Sequence, residues 1–90
     1  MAKDVITCPE SARIRYAYGS AILIEQALVE KDENKKQGLL DKSIVQLERG
    51  VAILSTYAEA FYHLGLAYKE KGDFPRAVQS YEKASNHKPF

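Results

Sequence analysis

The sequence has few of the features that carry chemistry or hold a protein in a membrane. Its 90 residues include one cysteine, two histidines and no tryptophan, and no apolar run is longer than residues 21–24. A transmembrane helix needs about 20 apolar residues, and the single thiol of Cys8 cannot close an intramolecular disulfide. We therefore expect a soluble segment, cytoplasmic by default, without membrane contact, cofactor or metal.

An excess of one charge is also missing. Thirteen basic and twelve acidic residues leave a net charge of +1, and no stretch is basic enough to follow a phosphate backbone. A nucleic acid is therefore not an expected partner. The mixed-sign run at residues 30–37 is interpreted either as a solvated hairpin tip or as a contact surface for another part of the protein.

The residue patterns of an enzyme are absent as well. The sequence contains no glycine-rich phosphate loop, no paired-carboxylate arrangement and no Ser-His-Asp order. His63 and His87 are 24 residues apart without a cysteine or carboxylate at ligand spacing, so we expect both to be surface or partly packed residues. A chain of this length has only a marginal core of its own, and we do not expect a free-standing enzyme.

The second half of the chain carries regularly spaced apolar side chains. Between residues 58 and 71 they recur at three- and four-residue intervals, which predicts one buried face of a helix. Gly72 and Asp73 then form a helix stop and start signal, because glycine tolerates left-handed backbone and aspartate caps the next helix. Pro75 is tolerated in a first turn, so a last helix is predicted from about Phe74 to Asn86.

This spacing resembles the tetratricopeptide repeat, a helix-turn-helix unit that buries its core by stacking on copies of itself. The residues that carry the resemblance are Phe61, Leu64, Gly65, Tyr68, Ala77, Tyr81, Ala84 and Pro89. The small residues in this set, Gly65 above all, are expected where two helices approach closely.

A second, divergent copy of the pattern lies upstream. The counterparts of Ala77, Tyr81, Ala84 and Pro89 lie 34 residues earlier, and those of Phe61, Leu64, Gly65 and Tyr68 lie 46 residues earlier. These counterparts are Ser43, Leu47, Gly50 and Ser55, then Arg15, Tyr18, Gly19 and Ile22. The first repeat is therefore twelve residues longer. Shared between two helices, the insertion adds about six residues to each, or roughly 9 Å.

These patterns predict an all-α fold of antiparallel helix hairpins stacked as a right-handed α-solenoid, with about four helices in two repeat units. Residues 1–11 are interpreted as the tail of a preceding repeat or a linker, 12–57 as the elongated first hairpin and 58–90 as the regular second repeat. Within the first hairpin, a second helix is expected from about Asp32 or Asn34 to Leu54. Gly38 inside this helix has no explanation from the sequence.

When the chain is aligned with the repeat pattern, each of its ends is expected to present a surface that a neighbouring repeat would cover. Pro9 stands where a preceding repeat would close, and Val78 and Tyr81 lie on helix surface that a following repeat would cover. Two repeats are fewer than the three usually needed for a continuous core. We therefore expect a fragment of a longer protein that self-associates, by end-to-end stacking or by exchange of helices.

The resemblance also implies a binding surface, because the first helices of such repeats line a concave groove for a peptide or partner segment. The residues predicted to line it are Arg13, Tyr16, Ser20 and Leu23 on the first helix and Glu59, Tyr62, Leu66 and Lys69 on the third. Tyr16 and Tyr62 are also interpreted as packing against each other, which is compatible with binding. The lysine and asparagine clamp of chaperone-binding members is absent.

The function predicted on this basis is a protein-protein interaction module whose partner is a protein or peptide. The alternative is a structural or regulatory appendage of a larger multi-domain enzyme, such as a glycosyltransferase, in which the repeats contact their own chain.

Overall fold

The computed structural model describes residues 9–86, and within them every regular element is helical. The elements are α1 (Pro9–Ala21), a π-helical segment that continues it (Ile22–Ala27), α2 (Glu33–Ile53), α3 (Ala58–Lys71) and α4 (Phe74–Asn86). α1 packs on α2, α2 on α3, and α3 on α4, so two antiparallel hairpins are stacked through α2 and α3. The predicted all-α architecture is confirmed. No helix in this part of the chain is both long and apolar enough to cross a bilayer.

The turn between α3 and α4 forms as the sequence predicts. Gly72 adopts a left-handed conformation with φ of 86°, and its N–H donates to the carbonyls of Lys69 and Tyr68 at the end of α3. The side chain of Asp73 accepts a hydrogen bond from the backbone N–H of Arg76 at 3.3 Å, which caps the start of α4. Two residues are enough to reverse the chain here, so α3 and α4 pack on each other as an antiparallel pair.

A glycine in the first helix of each hairpin lies against a large side chain of the second helix. A Cβ added to Gly65 would lie 2.7 Å from ring carbons of Tyr81, and one added to Gly19 would lie 2.9 Å from Cγ of Leu47. Ser43, at the position where the second repeat has Ala77, is fully buried and donates from Oγ to the Gly19 carbonyl at 2.8 Å. The two hairpins therefore share one packing arrangement.

The twelve extra residues of the first hairpin are shared unequally, contrary to the even division expected from the sequence. α2 begins at Glu33, seven residues before Leu40, which is the counterpart of Phe74 at the start of α4. Asp32 caps α2 by accepting from the N–H groups of Asn34 and Lys35 at 2.9 and 3.3 Å. Most of the insertion therefore lengthens α2, and the rest lies in the π-helical segment and its loop.

The start of the first helix also differs from the prediction. α1 begins at Pro9, three residues before Ala12. A proline is well tolerated at the first helical position because the N–H that it lacks would have no partner in the helix. Cys8, His87 and Pro89 lie outside the described residues.

The two hairpins are joined by an apolar contact with polar pairs around it. Leu40 and Ile44 of α2, the helix that packs on α3, are 0% and 8% exposed. Lys71 of α3 contacts Asp41 of α2 at 2.5 Å, and Lys36 of α2 contacts Glu70 of α3 at 3.2 Å. Ion pairs that stay partly open to solvent contribute about 1 kcal/mol or less each, so the buried apolar side chains provide most of the stability of this contact.

One buried tyrosine connects the hairpins through a hydrogen bond. The Tyr68 hydroxyl donates to the Glu48 carboxylate across the α2–α3 contact, and the Arg76 guanidinium lies 5.9 Å from the ring centroid. Burial, followed by the hydrogen bond to Glu48, raises the pKa of Tyr68 to about 12. The phenol is therefore neutral and acts as a donor throughout the physiological range.

We predict opposite effects of alanine at two glycines. Gly65→Ala should destabilise the fold by about 1–3 kcal/mol, because the new methyl group forces the Tyr81 ring away from α3. Gly38→Ala is the matched control: Gly38 is exposed in α2 with nothing within 4 Å of an added Cβ, so alanine should stabilise by up to about 1 kcal/mol. Urea unfolding followed by circular dichroism measures both, and equal effects would contradict the packing described.

We predict that Tyr68→Phe removes a pH-dependent contribution to stability. Because the folded-state pKa of Tyr68 lies above the unfolded value of 10, this contribution is complete below about pH 10 and is lost as the pH approaches 12. The variant should unfold with about 1 kcal/mol less free energy at pH 7, and the deficit should shrink above pH 10. Urea titrations between pH 7 and 12 test this, and parallel stability curves would contradict it.

Candidate functional site

Aromatic rings from α1 and α3 meet on the side of the first helices. The Tyr16 ring lies edge-on to the His63 ring with a centroid distance of 5.2 Å, and the Tyr62 ring lies edge-on to the same imidazole at 5.5 Å. The contact between Tyr16 and Tyr62 predicted from the sequence is therefore made through His63. Edge-to-face geometry at these distances is favourable for aromatic pairs.

Two further rings extend this contact at both ends. Tyr57, directly before α3, lies 5.0 Å from Tyr16, and Tyr81 of α4 lies 5.7 Å from Tyr62. We call Tyr57, Tyr16, His63, Tyr62 and Tyr81 the aromatic row. Sequence reasoning missed Tyr57 as a neighbour of Tyr16, and the available signal was an aromatic residue directly before the predicted third helix.

Burial and nearby charges shift the pKa of two tyrosines of the aromatic row, and a hydrogen bond fixes the tautomer of His63. Burial raises the pKa of Tyr16, and the nearby Tyr57 and Glu59 raise it further. Burial and then Glu59 also raise the pKa of Tyr57, while Arg13 lowers it. His63 Nδ1 lies 2.8 Å from the Glu59 carbonyl oxygen. Because that oxygen only accepts, Nδ1 carries a proton, and the phenols of Tyr16 and Tyr57 are neutral hydrogen-bond donors.

Most of the predicted groove residues are accessible. Arg13, Glu59 and Lys69 are exposed, Tyr62 is 52% exposed, and Ser20 and Leu66 are half-buried, with the Ser20 hydroxyl donating to the Ala17 carbonyl. Tyr16 is half-buried in the aromatic row. Among residues 9–86, no three histidine, cysteine, aspartate or glutamate side chains are grouped closely enough to hold a metal ion.

Leu23 is the exception, and its assignment to the groove is wrong. Its side chain is fully buried in the core with Ala27 and Leu40. Its counterpart in the second repeat, Lys69, is exposed near the end of α3, whereas the lengthened α2 packs against the π-helical segment that contains Leu23. The longer hairpin therefore covers a position that the regular repeat leaves open.

The sequence expectation for α4 is partly corrected as well. Tyr81 was expected on the surface that a following repeat would cover, but its half-buried ring lies against Gly65 and Tyr62 of its own hairpin. Val78 is 55% exposed, as that expectation requires.

Stacked antiparallel hairpins, with glycines at the helix crossings and an aromatic surface on the first helices, define a helical repeat protein. The family model described as tetratricopeptide repeat matches residues 58–89, and a second one described as TPR repeat matches residues 32–72. The chain belongs to the tetratricopeptide repeat family. Repeats of this family are protein-interaction modules, so the coarse prediction of a protein-protein interaction module is confirmed.

Relatives with a known description are much longer than this chain. It is 30% identical over 99 aligned positions to a Solanum lycopersicum protein described as probable UDP-N-acetylglucosamine-peptide N-acetylglucosaminyltransferase SPINDLY, and 29% identical to a Petunia hybrida protein of the same description. Each alignment covers 97% of this chain and 11% of the relative. No solved structure matches the chain significantly.

Proposed function

We propose that the chain binds an extended peptide segment of a partner protein along the surface of α1 and α3. The observation that supports this function is the meeting of Tyr16 and Tyr62 on His63, which makes one continuous ring surface from two helices. Tyr62 is 52% exposed, so a large ring face is available. Tyrosine is one of the side chains that most often dominate binding energy at protein interfaces. In this proposal the segment binds and does not catalyse.

The chemistry of the surface favours an apolar or aromatic side chain as the anchor of the bound segment. The ring faces of the aromatic row offer apolar area, and the neutral phenols of Tyr16 and Tyr57 can donate hydrogen bonds to peptide carbonyls. With a net charge of +1 over the chain, a protein segment fits this surface better than a nucleic acid does.

Charge near the aromatic row adds a second element of specificity. Lys69 lies seven residues after Tyr62 on the same helix, a separation of about 10 Å along the axis. An extended peptide covers that distance in about three residues. At the other end of the row, two oppositely charged residues lie near Tyr57. Glu59 raises the pKa of Tyr57 and Arg13 lowers it. The preferred ligand therefore has an acidic residue about three positions from its apolar anchor.

We expect Tyr62→Ala to weaken binding of a selected peptide at least tenfold. Random peptides displayed on phage would be selected against the full chain, and fluorescence anisotropy would give the dissociation constants. Tyr18→Ala is the matched control, because Tyr18 is a tyrosine of similar exposure, 58%, outside the aromatic row. It should change affinity less than twofold. Selected peptides whose binding survives Tyr62→Ala would refute the groove.

A second variant tests the proposed acidic position. Lys69→Ala should remove the preference for aspartate or glutamate about three residues from the anchor, and it should flatten the salt dependence of binding. Lys42→Ala, an exposed lysine on α2, should change neither property. If Lys69→Ala kept the preference for an acidic residue, the proposed contact between Lys69 and the acidic position of the peptide would be wrong.

The second candidate function is a repeat segment of a larger enzyme that contacts its own chain or positions that enzyme's substrate. It is supported by the similarity to SPINDLY proteins, of whose length this chain spans 11%. Sequencing the transcript on both sides of this segment tests it. A glycosyltransferase domain in the same open reading frame would favour this candidate, and stop codons bounding the 90 residues would exclude it.

A further inference from the structure

Two exposed apolar faces lie on the first and last helices of the structure. On α4, Phe74 and Val78 are 62% and 55% exposed, and we call this pair the α4 face. On α1, Ile14 and Tyr18 are 67% and 58% exposed, and we call this pair the α1 face. In each pair the residues are four apart, so each face is a stripe along one side of its helix.

The α4 face has a buried counterpart within the chain. The two hairpins are related by a shift of 34 residues in their second helices, which places Leu40 at the position of Phe74 and Ile44 at that of Val78. Leu40 and Ile44 are 0% and 8% exposed in the core, on the helix that packs on α3 and on the π-helical segment. The α4 face therefore corresponds to this surface, and among residues 9–86 no helix packs on it as α3 packs on α2.

The α1 face also has a buried counterpart within the chain, on the helix that packs against α2. The first helices are related by a shift of 46 residues, which places Ala60 at the position of Ile14 and Leu64 at that of Tyr18. Ala60 and Leu64 are 0% and 3% exposed on α3, in the core that α3 shares with α2. The α1 and α4 faces are thus the two halves of one interface, which the chain already forms internally between α3 and α2.

We propose that a second copy of the chain covers each face, with α1 of one copy packed on α4 of the next in the manner of α3 on α2. This contact is head-to-tail, so it joins two different surfaces and leaves one of each open after every addition. It does not involve the aromatic row, and it stands independently of the peptide groove.

The contact between copies should be weaker than the internal one. The hydrogen bond from Tyr68 to Glu48 has no equivalent, since the corresponding residues are Ile22, which is 4% exposed, and Glu82. The bulkier Ile14 and Phe74 also hold the helices further apart than Ala60 and Leu40 do. An apolar contact without this hydrogen bond predicts reversible assembly that depends on concentration.

Two variants that each block one face test the proposal by complementation. Ile14→Lys blocks the α1 face and Val78→Lys blocks the α4 face, because a lysine without a partner charge in the contact should weaken it at least about 100-fold. Sedimentation equilibrium between about 10 μM and 1 mM should show growing assemblies of the unmodified chain and a 10.1 kDa monomer for each variant. An equimolar mixture should give a 1:1 dimer that grows no further, because the pair uses the one open α1 face and the one open α4 face and leaves only the two blocked faces uncovered.

Other arrangements give different results and would overturn the proposal. Pairing of α4 with α4 leaves Ile14→Lys dimeric alone, and pairing of α1 with α1 leaves Val78→Lys dimeric alone. Helix exchange leaves both variants dimeric, and a monomeric unmodified chain at 1 mM excludes assembly altogether. Circular dichroism confirms that both variants are folded. Tyr62→Ala is the control, and it should associate like the unmodified chain while losing peptide binding, which separates this proposal from the groove.

Discussion

The close approach of two helices within each hairpin is the constraint on which the rest of the structure depends. At Gly65 the Tyr81 ring occupies the space that a Cβ would need, so α3 and α4 pack at a distance that only glycine permits. The same contact places Tyr81 5.7 Å from Tyr62 and completes one end of the aromatic row. The binding surface is therefore a consequence of core packing as well as of surface side chains.

The α2–α3 contact provides the second constraint. It buries Leu40 and Ile44 and brings α3 beside α1, so that Tyr16 reaches His63 from a different helix. The same contact explains the exposed ends, because the positions that are buried in the middle of the stack are open on α1 and α4. A single type of helix contact thus accounts for what the chain hides and for what it leaves available to partners.

The second repeat could be predicted from the sequence because each of its signals has one local physical cause. Gly72 ends α3 in left-handed backbone, Asp73 caps α4, and Gly65 marks the crossing. The bounds of α2 agree with the helix predicted from about Asp32 or Asn34 to Leu54. The even division of the insertion was wrong, since neither the apolar pattern nor the charged run shows how the twelve residues are shared between the two helices. Leu23 was misassigned for that reason, because its burial depends on how far α2 extends.

The aromatic row could be predicted only in part. Tyr16 and Tyr62 follow from helical spacing, but the placement of His63 between their rings depends on how α1 and α3 are offset, which is a tertiary property. Tyr57 was missed because it precedes its helix and reaches Tyr16 only after α1 and α3 are packed. Helical periodicity identifies faces, and packing decides which side chains on those faces meet.

The most direct test of the proposed binding surface is an NMR titration of the isotope-labelled chain with a selected peptide, at a concentration where the chain is monomeric. The account predicts that the largest chemical-shift changes fall on Tyr16, Tyr62, His63 and Lys69, with little change at Phe74 and Val78. Changes concentrated on the outer face of α4, or spread evenly over all four helices, would contradict it.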